Sequence, residues 1–390
     1  LMMTRPNGIV LLTVILGHAV WYRRSLPPRL IATFVGVFVL LYGSYFAWRW
    51  SYYGYLLPNT FYAKVGSSGA QVNRGIRYVV SAMPAFGLLI MPVVAGWGRK
   101  DERRRPEHVP DSRPLLLALV ITHLTYVIAV GGDNFPAHRF IVVIVPFLWL
   151  LAVRALPVLA PTTPRRALLA AVLFGYNFVA HAFDPETRSR IARDYVAGDG
   201  KMVGRWLALN TDPDAVIATN SAGALAYYSG RTIVDMLGLN DAEIAHTPMA
   251  SMGHGKAGHE KGNGFYVLSR DPDYVFFGPP KGASRPMFTG DEQLYELKSF
   301  KSRYVYEKVE LSETFTIHFY RRLSDEELEE RARAAEERKR AAEKKQKKKR
   351  QEERQKKRHK KKTKRSPAGG APDAKGPKPS ASATDAERGG

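Results

Sequence analysis

The 390-residue sequence contains no cysteine. Disulfide cross-links, thiol-based catalysis and thiolate metal sites are therefore excluded. His246, His254 and His259 lie close together in the sequence and invite a metal interpretation. Their spacing matches no standard ligand pattern, so ordinary loop histidines are the better interpretation. The sequence supports no certain cofactor, and a divalent metal ion stays open as an alternative without support from ligand spacing.

The start of the sequence lacks a basic segment ahead of the first apolar run, so we expect no cleavable signal peptide. Leu1 and two methionines run directly into Thr4-Arg5-Pro6-Asn7-Gly8. An apolar end followed by a proline and an Asn-Gly turn is typical of one helix ending and another beginning. We therefore expect the chain to be truncated at its N-terminus, with a non-standard start codon as the alternative.

Long apolar stretches fill the first half of the sequence. Six of them lie at residues 8–22, 30–50, 77–97, 115–130, 140–159 and 167–183. A hydrocarbon layer of about 30 Å takes roughly 20 helical residues, so each stretch crosses or nearly crosses it. The first and fourth are short, and a buried or half-spanning helix is their alternative. We predict a polytopic α-helical membrane domain of about six transmembrane helices over residues 1–183.

The basic residues of the short loops predict the orientation, because cationic loops stay on the cytoplasmic side of a membrane. The loops after the first, third and fifth stretches carry Arg23, Arg24, Arg29, Arg99, Lys100, Arg103, Arg104, Arg105, Arg165 and Arg166. The loops after the second and fourth stretches, and everything beyond residue 183, are then predicted to face outward. Lys64, Arg74 and Arg77 contradict this orientation but are outweighed by the cluster at 99–105.

Residues 184–322 alternate helix and strand patterns, as is typical of a soluble α/β domain. The apolar runs at 215–219 and 232–236 predict two parallel strands on either side of a short helix at 222–228. Further strands are predicted at 274–277, 304–309 and 315–320, after a glycine-rich loop at 253–264. A segment of about 140 residues suffices for one core.

The end of the sequence is strongly basic. Between residues 338 and 365 it has 18 Lys and Arg against three Glu, and Ser, Pro, Gly and Ala follow. We predict a charged helix or a disordered arm over 323–365 and a disordered tail over 366–390. No aromatic residue is interleaved, so nucleic acid is not expected as a partner. Anionic lipid or an envelope polymer is the expected partner, and a solvated tail without a partner is the alternative.

Two predicted outward loops hold the candidate functional residues. Residues 52–64 read Tyr-Tyr-Gly-Tyr-Leu-Leu-Pro-Asn-Thr-Phe-Tyr-Ala-Lys. A belt of aromatic rings at the membrane interface accounts for the tyrosines. It does not account for Asn59 in its turn or for Lys64, which would supply a cation near a lipid phosphate.

The second loop, residues 131–139, contains Asp133, His138 and Arg139 between two apolar stretches. Such residues at a membrane boundary are unfavourable unless they are solvated or paired, so they are functional candidates. The aspartate would act as a base and the arginine would hold a phosphate with two hydrogen bonds. The alternative is a structural one, in which Asp133 pairs with Arg139 to close the loop.

The run Tyr-Tyr-Gly-x-Leu-Leu-Pro-Asn-Thr-x-Tyr-Ala-Lys from Tyr52, with Gly-Gly-Asp from Gly131 and Arg139 before Phe140, resembles a known family. It is similar to the polyprenyl-phosphate-sugar-dependent membrane glycosyltransferases of the GT-C class. Within that class it most resembles the actinobacterial terminal arabinofuranosyltransferases and the proteins labelled flagellar motor control proteins. Segments 235–241 and 258–261 resemble parts of that family's extracytoplasmic domain. The resemblance covers roughly residues 1–322 and leaves out the basic tail.

The resemblance implies a partial GT-C fold in a bacterial plasma (inner) membrane, with the α/β domain and tail extracytoplasmic. It implies inverting transfer of a sugar, by analogy arabinofuranose, from a polyprenyl-phosphate donor to a glycan or protein acceptor. The residues implied as catalytic are Asp133 and His138, and those implied as substrate-binding are Arg5, Tyr52, Tyr53, Asn59, Lys64 and Arg139.

In GT-C enzymes the principal catalytic carboxylate lies in the first outward loop, after the first transmembrane helix. We expect that loop upstream of Leu1, which leaves the activity of this truncated chain open. The alternative from another class is a non-catalytic, membrane-anchored envelope protein whose α/β domain binds a glycan or a partner.

Overall fold

Helices form the apolar half of the chain in the structure, a computed structural model that describes residues 8–21, 27–66, 68–96, 111–192 and 195–363. In chain order they are α1 (Gly8–Trp21), α2 (Pro28–Tyr53), α3 (Asn59–Lys64), α4 (Gly69–Gly96), α5 (Arg113–Ala129), α6 (Val142–Leu159) and α7 (Thr163–Ala182). A short helix, α8 (Pro185–Ala192), follows them. Arg5, Arg23, Arg24 and the basic cluster at 99–105 lie outside the described residues.

Three of these helices, α2, α4 and α6, are long and apolar enough to cross a membrane, by length and composition. Helices α1 and α5 are apolar but have only 14 and 17 residues. Helix α7 has 20 residues and mixes Arg165, Arg166, Asn177 and His181 with its apolar side chains. A helix thus lies at each of the six predicted stretches, and three of them are candidate spans. Six crossings and outward loops stay predictions.

Helix α4 begins at Gly69, ahead of the predicted stretch at 77–97. Ser68 caps it, because its hydroxyl accepts a hydrogen bond from the amide of Gln71 at 3.1 Å. The apolar pattern misses these first turns because they carry polar side chains, Gln71 and Arg74 among them. Both side chains are therefore presented from a helix and not from a loop.

Helices α4, α5 and α6 share an apolar core. Its most deeply buried side chains include Phe86, Leu89, Val127, Ile141 and Ile144. At Gly75 a Cβ would overlap the carbonyl group of Ile128, so α4 and α5 approach as closely as glycine allows. The loop that follows α5 is consequently held beside the first turns of α4.

The second part of the chain is an α/β domain with one five-stranded sheet. Its elements are α9 (Val196–Asn210), β1 (Val216–Thr219), α10 (Ala224–Ser229), β2 (Thr232–Asp235), α11 (Ala242–His246), α12 (Gly264–Ser269), β3 (Tyr274–Phe276), α13 (Thr289–Glu296), α14 (Lys298–Arg303), β4 (Tyr304–Ser312) and β5 (Phe315–Arg322). The strand order is β2-β1-β3-β5-β4. Strand β1 runs parallel to β2 and β3, and β5 runs antiparallel to β3 and β4. The predicted parallel pair and the predicted α/β class are confirmed.

Both faces of the sheet are covered, because neighbouring residues in a strand point to opposite sides. One face packs Ile217, Phe276 and Phe319 against side chains of α9 and α10. The other face packs Val275 and Phe277 against side chains that include those of α12, α13 and α14. The sheet is therefore the central layer of a three-layer domain.

Strand β4 lies at one edge of the sheet. Lys308 and Glu310 project from it as an ion pair with 60% and 67% of their side chains exposed. The pairing with β5 also shifts register between Glu310 and Ser312, which marks a bulge near the end of the strand.

Residues 324–390 form a separate unit from residues 1–323. Its described part is a 39-residue helix, α15 (Asp325–Thr363). The helix starts with a capping box, in which the amide of Glu327 donates to the Ser324 hydroxyl and the amide of Ser324 donates to the Glu327 carboxylate. Of the two predicted states for 323–365, the structure has the helix. The predicted disordered tail at 366–390 lies outside the described residues.

Candidate functional site

A cavity of about 240 Å³ lies where the helical part of the chain meets the α/β domain. Its walls come from the first polar loop, defined as residues 54–66, from the second polar loop, residues 130–141, and from the end of α5. The lining residues are Pro58, Thr60, Phe61, Lys64, Val65, Tyr126, Val130, Gly132, Asp133, Phe140 and Ala257. Ala257 is the contribution of the α/β domain, so the cavity belongs to both halves.

Asp133 lines this cavity and forms an ion pair with Arg139. The Nε of Arg139 donates to one carboxylate oxygen, and its Nη2 donates to the other at 3.2 Å. The amide of Asn134 also donates to Asp133 at 3.0 Å, and only 5% of the aspartate side chain is exposed. The guanidinium of Arg139 lies 4.0 Å from the ring centre of Phe135. The loop-closing pair that the sequence left open is therefore present.

Lys64 ends helix α3 and lines the same cavity. Among the described residues its ammonium group has no hydrogen-bond or ion-pair partner. Burial lowers the pKa of Lys64, the nearby Asp133 opposes this shift, and Arg139 adds to it. A half-buried cation without a protein partner is a group that can receive an anion.

The other predicted site residues that the structure describes are not among the residues that line the cavity. The ring nitrogen Nε2 of His138 lies 3.0 Å from the Ser81 hydroxyl on α4. Tyr52 and Tyr53 end helix α2 with 71% and 59% exposed. Asn59 is the first residue of α3 and is not among the lining residues. The structure thus brings together Lys64, Asp133 and Arg139, whereas Arg5 lies outside the described residues.

A segment of the α/β domain, residues 252–260, crosses over the two polar loops, and we call it the strap. Its last residue, Glu260, is 2% exposed. Oxygen Oε1 of Glu260 accepts hydrogen bonds from the amides of Gly253 and Gly255, at 2.7 and 2.9 Å, and from Nη1 of Arg74 at 2.8 Å. Arg74 also donates through Nε to the carbonyl of Gly131 at 3.1 Å. One arginine therefore bonds to both the strap and the second polar loop.

Gln71, one helical turn before Arg74, reinforces this junction. Its Nε2 donates to the carbonyl of Ala129 at 2.8 Å, and its Oε1 accepts from the amide of Gly66 at 2.6 Å. At Gly253 of the strap, where φ is 96°, a Cβ would overlap the amide nitrogen of Gln71. Sequence reasoning missed Gln71, Arg74 and Glu260. The signal available was Ser68 with Gln71 three residues later, which is typical of a capped helix start.

The three histidines of the metal interpretation do not converge. The ring of His246 packs against those of Tyr55 and Tyr62, with centres 4.2 and 4.1 Å away. His259 lies 4.8 Å from the ring of Phe288, and burial lowers its pKa. Within the part of the chain that the structure describes, no three His, Asp or Glu side chains are grouped as metal ligands. His246 thus contacts the first polar loop, and Nδ1 of His259 lies 3.5 Å from Nδ2 of Asn134 in the second.

The family model that matches the chain covers residues 188–329 and is described as a domain of unknown function, DUF8728. The segment is thus similar to that domain over the α/β part of the chain. No curated protein and no solved structure matches the chain.

Proposed function

We propose that this chain is part of a membrane glycosyltransferase that uses a polyprenyl-phosphate sugar donor, and that the cavity holds the donor's phosphate. The observation that carries this proposal is Lys64, a cation without a partner among the described residues, in a cavity next to the candidate spans. A phosphate group supplies the anion that such a cation lacks. The sequence resemblance supports a lipid-linked sugar as the bearer of that phosphate.

The size of the cavity suits part of such a donor. Pockets for drug-sized ligands have about 300–1,000 Å³, and the cavity has about 240 Å³. It therefore suits the phosphate and its nearest groups, while the lipid chain lies along the helices. Phe61, Val65 and Phe140 provide apolar walls for the first part of that chain.

In the proposed reaction an acceptor hydroxyl attacks the anomeric carbon of the sugar. The bond between that carbon and the phosphate oxygen breaks, and polyprenyl phosphate leaves with the electron pair. Lys64 stabilises the negative charge on the leaving phosphate. A carboxylate accepts the proton of the hydroxyl. We propose Asp133 as an auxiliary base for this step, and it also orients Arg139. Arabinofuranose is the sugar that we propose by analogy.

The proposal includes the placement of the chain. Helices α1, α2 and α4–α7 make about six crossings of a bacterial inner membrane, in which spans of about 20 residues are usual. The polar loops and the α/β domain then lie on the outer side. The basic part of α15 lies near anionic lipid or an envelope polymer.

A second candidate function is a non-catalytic envelope protein that binds a lipid-linked or free glycan. One observation favours it: Asp133 is the only carboxylate among the described residues that line the cavity, and both its oxygens accept hydrogen bonds. These bonds give Asp133 a structural role in closing the second polar loop. Incubation of the full chain with a labelled donor and acceptor glycan separates the two candidates, because only the transferase forms product.

Replacing Lys64 by glutamine is expected to weaken the binding of farnesyl phosphate, a short polyprenyl phosphate, by about 10- to 100-fold. The reason is that a hydrogen bond to a charged group contributes about 1.5–3 kcal/mol. The measurement is calorimetric titration of the full chain in lipid nanodiscs. The matched control is Lys298→Gln, which changes an exposed lysine on α14 and should leave the affinity as it was. Equal affinities for K64Q and wild type would refute the phosphate site.

The affinity is also expected to depend on pH. Lys64 is a cation below its pKa, and burial lowers that pKa from the ordinary 10.5. Binding of farnesyl phosphate should therefore weaken as the pH rises through this lowered pKa. The variant K64R stays charged and should keep its affinity up to about pH 10. A parallel loss in both proteins would count against Lys64.

A further inference from the structure

The strap contacts Lys64, the cavity's cation without a partner among the described residues. Gly258 has a φ of 76°, and a Cβ there would lie 3.2 Å from Cε and 3.4 Å from Cγ of Lys64. The backbone of the strap thus packs along the stem of the lysine. The neighbouring Ala257 lines the cavity itself. The position of the Lys64 ammonium therefore depends on where the strap lies.

The strap is held in turn by Glu260 and Arg74. Their ion pair has an N–O distance of 2.8 Å, and the side chains are 2% and 16% exposed. Arg74 also binds the backbone of the strap, because its Nη1 donates to the carbonyl of Gly255 at 3.1 Å. Through Nε it binds Gly131, next to the lining residue Gly132. A buried pair of this kind is disrupted strongly when one charge is removed.

We infer that Arg74 and Glu260 are positioning residues that couple the strap to the second polar loop, so that both halves of the protein hold the ligand of the cavity jointly. The identity of that ligand, a polyprenyl phosphate, rests on the proposed function. The coupling of the strap to the second polar loop does not rest on it, because the guanidinium of Arg74 is bonded to both segments.

The coupling is tested by Glu260→Gln, which keeps an acceptor for the glycine amides and removes the charge that pairs with Arg74. Hydrogen exchange of the full chain in nanodiscs, read by mass spectrometry, is the measurement. We expect exchange to rise by about tenfold or more in peptides from 252–260 and also in peptides from 129–137, since loss of a buried pair raises the population of locally open states. The matched control is Glu243→Gln, an exposed glutamate on α11, which should change neither segment. Faster exchange confined to the strap would overturn the inference.

A second measurement uses Gly258→Ala, which pushes on Lys64 without touching Arg74 or Glu260. We expect about tenfold weaker binding of farnesyl phosphate for both G258A and E260Q. Each substitution shifts the Lys64 ammonium, and a small shift lengthens its hydrogen bond to the phosphate. The control is Gly230→Ala, also at a left-handed glycine but with no atom within 4 Å of the new Cβ. Wild-type affinity in both test variants would overturn the joint site.

The two proposals fail in different ways. If the wild-type chain does not bind farnesyl phosphate, the proposed function fails, while a rise of exchange in both segments of E260Q still supports the coupled walls. If the wild-type chain binds and E260Q leaves 129–137 unchanged, the phosphate site stands and the coupling is overturned.

Discussion

Replacing Asp291 by alanine is expected to lower the free energy of unfolding of the α/β domain by about 3–5 kcal/mol, since several buried donors lose their acceptor. Asp291 has no exposed side-chain surface. Its Oδ2 accepts hydrogen bonds from the amides of Gly278, Met287 and Phe288, at 3.0, 3.1 and 3.2 Å. Its Oδ1 accepts from Nδ2 of Asn220 at 2.7 Å. The loops after β1 and β3 are thus tied to one carboxylate.

The matched variant Asp291→Asn is expected to be far milder, at about 1 kcal/mol. The remaining carbonyl oxygen keeps the three backbone bonds. The new amide group faces Asn220, whose own Oδ1 is buried without a hydrogen-bond partner among the described residues. A flip of the Asn220 amide supplies the missing acceptor. Hydrogen exchange of peptides from β1 and β3 in the full chain measures both variants, and equal losses would contradict the role of the hydrogen bonds.

The pair of variants also has a pH signature. Burial raises the pKa of Asp291 in the folded state. The folded domain therefore binds this proton more readily than the unfolded chain. The corresponding stability is fully present below the ordinary pKa of about 4 and is lost as the pH rises through the higher folded-state pKa. In D291N this part of the pH dependence should be missing.

Replacing Gly282 by alanine is the second change with a large expected effect, again about 3–5 kcal/mol, from overpacking and a left-handed backbone together. Gly282 has a φ of 76°, and its Cβ would overlap the carbonyl oxygen of His318 on β5. The same loop is tied to that strand by a hydrogen bond from the His318 amide to the Lys281 carbonyl at 2.8 Å. The new methyl group must therefore lift the loop from the sheet.

Gly230→Ala isolates the backbone contribution to this effect. Gly230 has a φ of 61° and no atom within 4 Å of a new Cβ. It should therefore show only the left-handed penalty of about 1–2 kcal/mol. Exchange of peptides from β5 compares the two variants at the same temperature and pH. If G230A and G282A lower the free energy of unfolding equally, the overlap with the His318 carbonyl does not contribute to the loss.

The strands of the α/β domain were open to prediction because each is a short apolar run between turn residues. The runs at 215–219 and 232–236 contain the observed strands β1 and β2. The order of the sheet was not open to prediction in this way. Strand β3 pairs with β1 on one side and with β5 on the other, and such a choice depends on how helices cover both faces of the sheet.

The candidate site was predictable only in its local part. Lys64, Asp133 and Arg139 stand out because charged side chains are unusual beside apolar stretches. The Arg74–Glu260 pair joins residues 186 positions apart, so no local pattern contains it. The same holds for Gly258, whose role depends on Lys64 in another part of the chain. Long-range contacts of this kind arise from packing, which composition and periodicity do not record.

The charged, bulged edge of β4 affects how concentrated protein will behave. An open strand edge is a template on which another copy can add its own strand. Lys308 and Glu310 would have to lose water for such an addition, and the register shift beyond Glu310 interrupts the ladder that a second copy needs. Fibrous or sheet-like aggregation through this edge is thus disfavoured. If purified samples precipitate, the choice of detergent is the variable to change, because the other described residues leave the apolar surface of α2 uncovered.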